Sequence, residues 1–491
     1  MTAAWDITEV TWPADIAAAV AAFAGGAELA WLDSCAAGAA PASAPCRSLV
    51  CARPLLWIEQ FDGQPATLRG ARQEPRTSAD GWRLWRGVWQ DLAQLPQLPW
   101  SNGPGWVGYV GFEMARYLER LPSSRREDLG LPLMRLALFE RGIVLDHAAR
   151  RAFAVRAVGL DLPGAAAPAT RDGDWIARWE SAAGACREFA PTGLPRWRPE
   201  VEREKYERSV RRALGYIAAG DIYQVNLAQR LRIEGAGDPL AEYARVREVN
   251  PAPYAALLRW DDGAVLSHSP ELFLRVRGRE VLTSPIKGTR PRVGDEPLDD
   301  ARQAELLASA KERAELAMIV DLHRNDLGRV CRYGSVKVVQ PRRLEAHPTV
   351  FHTVADVVGQ LAPGADALAL LAACFPAGSI TGVPKIRAMQ IIDELEPVAR
   401  GAYTGAVGVL GLDGQMTFNV AIRTLQMRGS TATLYVGGGI VADSDPAEEY
   451  EETLAKGRGI IAGLTGAERA GGRAAAASEA RPVAACRASD D

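Results

Sequence analysis

Cysteine and histidine are scarce in this sequence, and neither follows a metal-binding or cross-linking pattern. The 491 residues include seven cysteines without a Cys-x-x-Cys pair and five histidines without a His-Glu-x-x-His motif. An odd number of irregularly spaced cysteines argues against a disulfide framework and a zinc knuckle. The cysteine usage therefore favours a reducing compartment. The cysteines are Cys35, Cys46, Cys51, Cys186, Cys331, Cys374 and Cys486.

The sequence also lacks a long hydrophobic run and a strong excess of either charge. The apolar run Ile16–Ala24 is too short to span a bilayer and stops at Gly25-Gly26. The N-terminus carries Asp6 and Glu9 but no basic region of the kind that begins a signal peptide. The formal net charge is −3, so no field would gather nucleic acid or anionic lipid over the whole surface. We therefore expect a cytoplasmic protein without a nucleic-acid or membrane partner.

What the chain does have is an ordinary globular composition, divided into unequal regions. Hydrophobic residues make up 48% and charged residues 24% of the sequence. An N-terminal part, 1–160, is followed by the Pro/Gly-rich segment Leu162–Gly173, which predicts a surface loop. Nearly every chemical signal lies in a dense region at 195–465. The tail 466–491 has few large apolar groups to offset its ordering entropy, so we predict that it is disordered.

Hydrophobic spacing in the dense region predicts both strands and helices. Tyr206, Val210, Leu214 and Ile217 recur at helical steps before Gly220, and Ile222–Ile233 alternates like a strand. Further predicted elements are a hairpin of Leu272–Val276 with Val281–Ser284, a helix over 301–327, and helices after Pro384 and Pro446. The strands are grouped rather than alternating strictly with helices. This grouping favours an α+β fold over a doubly wound parallel sheet.

The first chemical motif is Ser284-Pro-Ile-Lys-Gly-Thr-Arg-Pro-Arg292, which we interpret as a rigid loop just past a strand. Desolvation of Lys287 there would favour the neutral amine, which is a nucleophile. Gly288 would allow a substrate to approach the backbone closely. The spacing alone leaves open an ordinary surface lysine. It also leaves open a Schiff-base lysine of a pyridoxal phosphate enzyme, or a non-catalytic subunit that only docks an amidotransferase.

The second motif is a set of three glutamates. Asp445 and Pro446 open a predicted helix, and Glu449 and Glu452 follow on one face of it. Far upstream, Glu315 points toward the apolar side of its predicted helix, where an unpaired carboxylate is costly. Convergent carboxylates suit a hard cation such as magnesium. An exposed Glu452–Lys456 pair and a salt bridge from Glu315 to an arginine explain the pattern equally well.

The third group consists of small-residue segments that could hold an anion. Ser379-Ile-Thr-Gly-Val-Pro-Lys385 precedes a helix, and Gly437-Gly-Gly439 follows the predicted strand Leu434–Val436. Arg423, in the strand-like run Phe418–Leu425, is a candidate bidentate partner for a carboxylate. A cross-strand salt bridge is its structural alternative.

Taken together, these segments resemble the chorismate-utilising enzymes, the superfamily of the anthranilate synthase large subunit and isochorismate synthase. The resemblance covers about residues 200–460. Besides the segments above, it rests on the motifs Asp221-Ile-Tyr-Gln-Val-Asn-Leu227, Ser269-Pro-Glu-Leu-Phe273 and Met318-Ile-Val-Asp-Leu-His-Arg-Asn-Asp-Leu-Gly328. The fold that this implies is a two-layer β-sandwich of large antiparallel sheets flanked by helices, with the site in a cleft between the layers.

Within the superfamily, Pro285-Ile-Lys-Gly-Thr289 resembles aminodeoxychorismate synthase component I, whereas anthranilate synthases carry alanine in place of the lysine. The resemblance implies that Lys287 attacks ring carbon 2 of chorismate while Glu271 protonates the departing 4-hydroxyl. Ammonia then adds at carbon 4, giving 4-amino-4-deoxychorismate for para-aminobenzoate and folate biosynthesis. Gln224 stands where water-adding relatives have a lysine. The alternative activity is that of anthranilate synthase component I.

The resemblance also implies a ligand set and partners. The magnesium (Mg²⁺) ligands fall on Glu315, Glu449 and Glu452. A separate glutamine amidotransferase subunit would supply the ammonia, because no cysteine here lies in a nucleophile elbow with a matching His-Glu dyad. Further substrate contacts fall on Thr289, His352, Thr381, Tyr403, Arg423, Gly437, Gly438, Gly439 and Lys456.

Two short segments resemble the walls of a tryptophan pocket in relatives. They are Leu32-Asp33-Ser34 and Asn250-Pro-Ala-Pro-Tyr254, so the residues expected to line it are Leu32, Asp33, Ser34, Asn250, Pro251 and Tyr254. An ordinary strand end is the alternative for the first segment.

Overall fold

A computed structural model describes residues 3–34, 46–70, 73–92, 95–160, 174–189, 195–347 and 350–466. The predicted loop Leu162–Gly173 and residues 467–491 of the predicted tail lie outside these residues. In the described part of the chain, no helix is long and apolar enough to cross a membrane.

The strands follow one another along the whole described chain. The first twelve are β1 Ala4–Val10, β2 Leu29–Asp33, β3 Arg47–Ala52, β4 Leu56–Gln60, β5 Ala66–Gly70, β6 Gln73–Ser78, β7 Gly105–Val110, β8 Met134–Leu138, β9 Arg141–Asp146, β10 Arg151–Val158, β11 Arg196–Pro199 and β12 Gln224–Glu234. The others are β13 Tyr254–Arg259, β14 Gly263–Ser269, β15 Leu272–Arg277, β16 Glu280–Ser284, β17 Ile286–Pro291, β18 Lys337–Ala346, β19 Val350–Gln360, β20 Gly382–Val383, β21 Ala406–Gly411, β22 Met416–Val420, β23 Thr424–Arg428 and β24 Thr431–Ile440.

These strands form two twelve-stranded antiparallel sheets. The first sheet has the order β1-β10-β9-β3-β2-β13-β14-β23-β24-β12-β11, with β20 also paired to β12. The second has the order β17-β19-β16-β15-β22-β21-β7-β8-β4-β5-β6, with β18 also paired to β19. One hydrophobic cluster joins Leu32 and Leu49 of the first sheet to Tyr109 and Val407 of the second, so the sheets pack face to face. The α+β two-layer fold expected from the sequence is confirmed.

The helices cover the sheets, and most of them begin at an Asp or Ser whose side chain caps the first turn. Asp445 caps the last helix by accepting hydrogen bonds from the backbone N–H groups of Ala447 and Glu448. The helices are α1 Ile16–Ala24, α2 Gly81–Gln90, α3 Trp175–Ala183, α4 Arg203–Ala218, α5 Pro239–Val249, α6 Glu296–Ala308, α7 Ala310–Gly328, α8 Ala367–Cys374, α9 Lys385–Leu395 and α10 Pro446–Thr465.

The single helix predicted over 301–327 is wrong, because two helices, α6 and α7, occupy this segment. Ser309 separates them with a non-helical ψ of 114°. Its hydroxyl accepts a hydrogen bond from the Glu312 backbone N–H and so starts a new helix. Strands from 1–160 and from 195–465 lie side by side in both sheets, as in the β2–β13 and β7–β21 pairs.

Candidate active site

Lys287 lies in an edge strand rather than in the predicted loop, so that prediction was wrong. Strand β17 pairs with β19, and the register shifts between Lys287 and Thr289 around Gly288, whose φ is +78°. The Thr353 hydroxyl donates a hydrogen bond to the Lys287 carbonyl and fixes the backbone at this bulge. Glycine allows the bulge because it adopts positive φ without strain.

The Lys287 side chain crosses from the second sheet toward the first. A Cβ atom placed on Gly439 of β24 would lie 3.4 Å from its Nζ. The Nζ donates a hydrogen bond of 3.3 Å to the carbonyl of Ser379. Burial lowers the pKa of Lys287, opposed by the negative charges of Glu315 and Glu271. The neutral form of the amine is therefore more accessible than it is for a lysine in water.

Glu271 stands directly before β15, and only 3% of its surface is exposed. Its Oε1 accepts a hydrogen bond of 2.6 Å from the Ser379 hydroxyl and a longer one, 3.4 Å, from the Ile286 backbone N–H. Burial raises its pKa to about 7, partly offset by the Ser379 hydrogen bond and the charge of Lys287. A carboxyl group in this setting carries a proton in a large fraction of molecules at neutral pH, which suits a general acid.

The segment Ser379–Lys385 was predicted as an anion-binding loop, and the structure gives its side chains other partners. Thr381 is fully buried, and its hydroxyl donates to the carbonyl of Ala377 at 2.7 Å. Lys385 forms an ion pair of 2.6 Å with Asp326. Ser379 is the residue that sequence reasoning missed, because the motif gave no indication that it bonds both Lys287 and Glu271.

Arg423 lies in a bend between β22 and β23, not within one continuous strand as predicted, and its φ is +51°. Burial lowers its pKa to about 10, with no carboxylate charge to oppose the change. In the described part of the chain no ion pair of Arg423 occurs, so the alternative of a cross-strand salt bridge is not observed. A desolvated guanidinium without an anionic partner is suited to bind a carboxylate.

His352 connects Arg423 to the Lys287 strand. Its Nε2 lies 3.5 Å from Nη2 of Arg423, and its Nδ1 lies 3.0 Å from the Thr289 hydroxyl and 3.3 Å from the Gly288 carbonyl. Because a guanidinium only donates, Nε2 must be the accepting nitrogen, and the hydrogen resides on Nδ1. Burial and the Arg423 charge hold the pKa of His352 well below 6.5, which keeps the ring neutral.

The three consecutive glycines lie inside β24, so the prediction that they form a loop after a strand was wrong. They pair with β12 in the register Asn226–Gly439, Leu227–Gly438 and Ala228–Gly437. A Cβ on Gly438 would come within 2.8 Å of Glu449 Oε2 on one side of the strand. On the other side, a Cβ on Gly437 would meet the Tyr403 hydroxyl at 2.8 Å, and one on Gly439 the Gln224 amide nitrogen at 2.9 Å.

Glu449 and Glu452 lie one turn apart at the start of α10 and both approach Gly438. Glu449 Oε1 accepts a hydrogen bond of 2.6 Å from the Ser444 hydroxyl. Glu452 forms an exposed pair of 2.7 Å with Lys456, whose Nζ also donates to the carbonyl of Gly437 at 2.9 Å. The Glu452–Lys456 pair that the sequence left open is therefore present.

Glu315 on α7 is a third acidic side chain near Lys287, and its pKa and that of Glu449 are raised, whereas the charge of Lys456 lowers the pKa of Glu452. Burial and the negative charge of Glu312 raise the pKa of Glu315, and burial and the charge of Glu452 raise that of Glu449. No Glu315–arginine ion pair occurs among the described residues. In this geometry no three carboxylate, histidine or cysteine groups of the described chain are arranged to hold a metal ion. Carboxylate oxygens are the ligands that a hard cation prefers, but one of the three glutamates, Glu452, is paired with Lys456 in this structure.

Tyr403 faces the glycine strand from a stack of two tyrosine rings that lie between two arginine side chains. Its ring stacks on Tyr435 at 5.2 Å with an angle of 13° between the planes. The guanidinium of Arg230 lies over Tyr435 at 5.8 Å, and that of Arg400 over Tyr403 at 5.6 Å. This cation–π stack holds the Tyr403 ring in a fixed position.

The proposed tryptophan-pocket residues are only partly brought together. Leu32, Asp33, Ser34 and Tyr254 line one cavity of about 30 Å³, but Asn250 and Pro251 do not line it. Asp33 pairs with Arg247 at 2.5 Å and accepts a hydrogen bond from the Ser48 hydroxyl at 2.9 Å. Asn250 instead lies against α10, where a Cβ on Gly459 would approach its Oδ1 to 3.2 Å.

Comparisons with known proteins identify the family of this chain. Residues 52–462 match the family described as chorismate binding enzyme. Aminodeoxychorismate synthase component 1 of Klebsiella aerogenes is 39% identical over 406 residues, covering 81% of this chain and 86% of the relative. Anthranilate synthase component 1 of Thermus thermophilus is 40% identical over 419 residues, covering 82% and 86%.

A solved structure, anthranilate synthase component I from Streptococcus pneumoniae, aligns with a TM-score of 0.76 and 28% identity. The alignment covers 87% of this chain and 94% of that one. The match to the family extends over more than half of the chain, from β3 to α10. This chain therefore belongs to the chorismate-binding enzyme family and is a chorismate-utilising enzyme.

Proposed function

We propose that this chain is the large subunit of an aminodeoxychorismate synthase, which converts chorismate and ammonia to 4-amino-4-deoxychorismate. The observation that carries the proposal is the desolvated amine of Lys287, held between Ser379 and Gly439 beside the buried acid Glu271. Overall similarity does not choose between the two candidate activities, since both kinds of relative match at about the same identity. The choice therefore rests on Lys287, because the resembling anthranilate synthases carry alanine at that place.

In this proposal, chorismate lies between the glycine strand and the Lys287 strand. Its negative charge favours binding next to Arg423, which has no carboxylate partner among the residues that the structure describes. Glu315, Glu449 and Glu452 would hold Mg²⁺, which when bound neutralises and anchors the ring carboxylate. The remaining contacts would come from Thr289, His352, Thr381, Tyr403, Gly437, Gly438, Gly439 and Lys456.

The first chemical step uses the two buried side chains together. The neutral Nζ of Lys287 attacks ring carbon 2, and both conjugated ring double bonds shift by one position. The bond between carbon 4 and its hydroxyl oxygen then breaks. Glu271 gives its proton to that oxygen, so that water leaves. The enzyme then carries a secondary ammonium at Lys287 and a carboxylate at Glu271.

The second step restores both groups. Ammonia forms a bond to carbon 4, both ring double bonds shift back, and the bond between carbon 2 and Nζ breaks. Lys287 leaves as a neutral amine with the electron pair of that bond. The new ammonium on carbon 4 returns one proton to Glu271, so chorismate and ammonia give the amino product and water.

The product formed with ammonium chloride and Mg²⁺ tests this assignment. The purified chain should convert chorismate to 4-amino-4-deoxychorismate, identified by mass spectrometry and by its conversion to para-aminobenzoate with an added lyase. The second candidate is anthranilate synthase, since the Thermus thermophilus enzyme of that name is as similar to this chain, at 40% identity, as the aminodeoxychorismate synthase relatives are. Accumulation of fluorescent anthranilate together with pyruvate would establish that second activity and overturn the first.

We also propose that a separate glutamine amidotransferase subunit supplies the ammonia in a cytoplasmic complex. The sequence offers no nucleophilic cysteine with a His-Glu dyad for this task. The chain alone should use ammonium but not glutamine, and addition of the amidotransferase should make glutamine a donor. Glutamine-dependent turnover by the purified chain would contradict this part of the proposal.

A further inference from the structure

Ser379 touches both reacting side chains of the proposed site through two different atoms. Its hydroxyl donates to Glu271 Oε1 at 2.6 Å, and its carbonyl accepts from Lys287 Nζ at 3.3 Å. The residue is only 4% exposed and lies in the short 3₁₀ turn Gly378–Ile380 between α8 and α9. No other residue of the described chain makes a hydrogen bond to both groups.

The turn that carries Ser379 is firmly held. The Thr381 hydroxyl closes it by donating to the carbonyl of Ala377 at 2.7 Å. A Cβ on Gly378 would lie only 2.4 Å from the side chain of Leu322 on α7, so the turn packs closely against that helix. A hydroxyl on such a turn has a fixed direction relative to its acceptor.

The hydrogen bonds to Glu271 fall on one oxygen only. The Ser379 hydroxyl and the Ile286 backbone N–H both donate to Oε1, and no hydrogen bond within the described residues reaches Oε2. An oxygen that already accepts two hydrogen bonds is poorly suited to carry the covalently bound proton of the carboxyl group as well. The proton of the neutral carboxyl group therefore resides on Oε2.

We propose that Ser379 is a positioning residue that keeps the acidic proton on Oε2 of Glu271 and turns the lone pair of Lys287 away from its own carbonyl. The inference rests on the proposed roles of those two residues. One N–H of the neutral amine points at the Ser379 carbonyl, so the lone pair must point elsewhere. A single turn thus sets the direction of both the proton donor and the nucleophile.

Substitution of Ser379 tests this role. Ser379→Ala should lower kcat by about ten- to hundredfold, the range for losing a hydrogen bond to a charged group, because the Glu271 carboxyl becomes charged as it gives up its proton. KM for chorismate should change little, because Ser379 does not contact the substrate in this proposal. The high-pH limb of the kcat/KM profile should move to higher pH, because the lost hydrogen bond favoured the ionised carboxylate. Ser379→Thr keeps the hydroxyl, so its kcat and the position of its high-pH limb should be close to those of the wild type.

Two further variants separate positioning from folding. Ser335→Ala is the matched control, because Ser335 donates a 2.7 Å hydrogen bond to the Arg332 carbonyl in a surface turn. The kcat/KM profile of this variant against pH should be that of the wild type. Ser379→Cys has nearly the wild-type volume and a much weaker donor, so it should move the limb in the same direction even if the alanine variant unfolds. The role is refuted if the alanine or cysteine variant folds and keeps both the wild-type kcat and the wild-type limb. Because the limb reports on Glu271 and not on the product, an enzyme that instead made anthranilate would overturn the proposed function while leaving this test intact.

Discussion

Replacing Glu271 with glutamine should stabilise the protein at alkaline pH while removing most of its activity. The folded protein holds the pKa of Glu271 at about 7, compared with an ordinary value of 4.5. At about 1.4 kcal/mol for each pH unit, this difference corresponds to about 3 kcal/mol. Between the two values the folded state retains a proton that the unfolded state has lost, so stability falls as the pH rises through this window. The loss of stability caused by the buried carboxylate is fully present above pH 7.

Linkage gives the size of the effect at two convenient pH values. The Glu271 carboxyl lowers the free energy of unfolding by about 1 kcal/mol at pH 5 and by about 3 kcal/mol at pH 8. The advantage of Glu271→Gln over the wild type should therefore grow by about 2 kcal/mol between these values, measured by urea unfolding. Turnover should fall by about 10² to 10⁴, as expected for loss of a general acid.

A matched control uses a glutamate on the surface of α4. The side chain of Glu204 is 86% exposed, so Glu204→Gln should differ from the wild type by a nearly constant amount at both pH values. The reasoning about the buried acid would be refuted by a Glu271→Gln advantage that does not change with pH. It would equally be refuted by an advantage that shrinks as the pH rises.

Three further predictions concern the rest of the site. Lys287→Ala should lose most amination with ammonium as donor, because the covalent route is gone, and full activity measured by product formation would show that the lysine is incidental. A chelator should abolish turnover and added Mg²⁺ should restore it, whereas chelator-insensitive turnover would contradict the three-glutamate site. Gly438→Ala puts a Cβ 2.8 Å from Glu449 Oε2, so it should weaken Mg²⁺ or chorismate binding about tenfold or more in titrations. The control is Gly215→Ala, whose Cβ would meet nothing within 4 Å and which should bind both normally.

Elements specified by neighbouring residues could be predicted from the sequence. The hairpin of β15 and β16 and the helix starts at Pro384 and Pro446 follow from local turns and caps. The division between α6 and α7 also has a local signal, because Ser309 and Glu312 have the spacing of a capping box. The hydrophobic periodicity nevertheless predicted one continuous helix. The strand assignments of Lys287 and of the three glycines could not be predicted this way. Their partners β19 and β12 lie far away in the chain, and their own composition resembles loops.

The membership of the site was easier to predict than its contacts. The structure brings Lys287, Glu271 and the glycine strand together, and motif resemblance had grouped these residues without any geometry. Ser379 was missed because its hydrogen bonds to Lys287 and Glu271 join three segments that lie far apart in the chain. The sequence does not show the direction of such bonds. The observed pairing of Glu452 with Lys456 depends on the balance of charges around α10, which spacing alone does not determine.

Strands from the early and late parts of the chain pair with each other in both sheets. The chain therefore cannot be cut into two fragments that each contain complete sheets. A fragment carrying only residues 195–466 would present one bare edge of β13, where β2 belongs, and another of β21, where β7 belongs. Bare edges in the middle of large sheets invite aggregation. Insertions or fusions are therefore best tolerated at the ends of strands and in connecting loops, and the catalytic motifs cannot be transplanted without the N-terminal strands that complete their sheets.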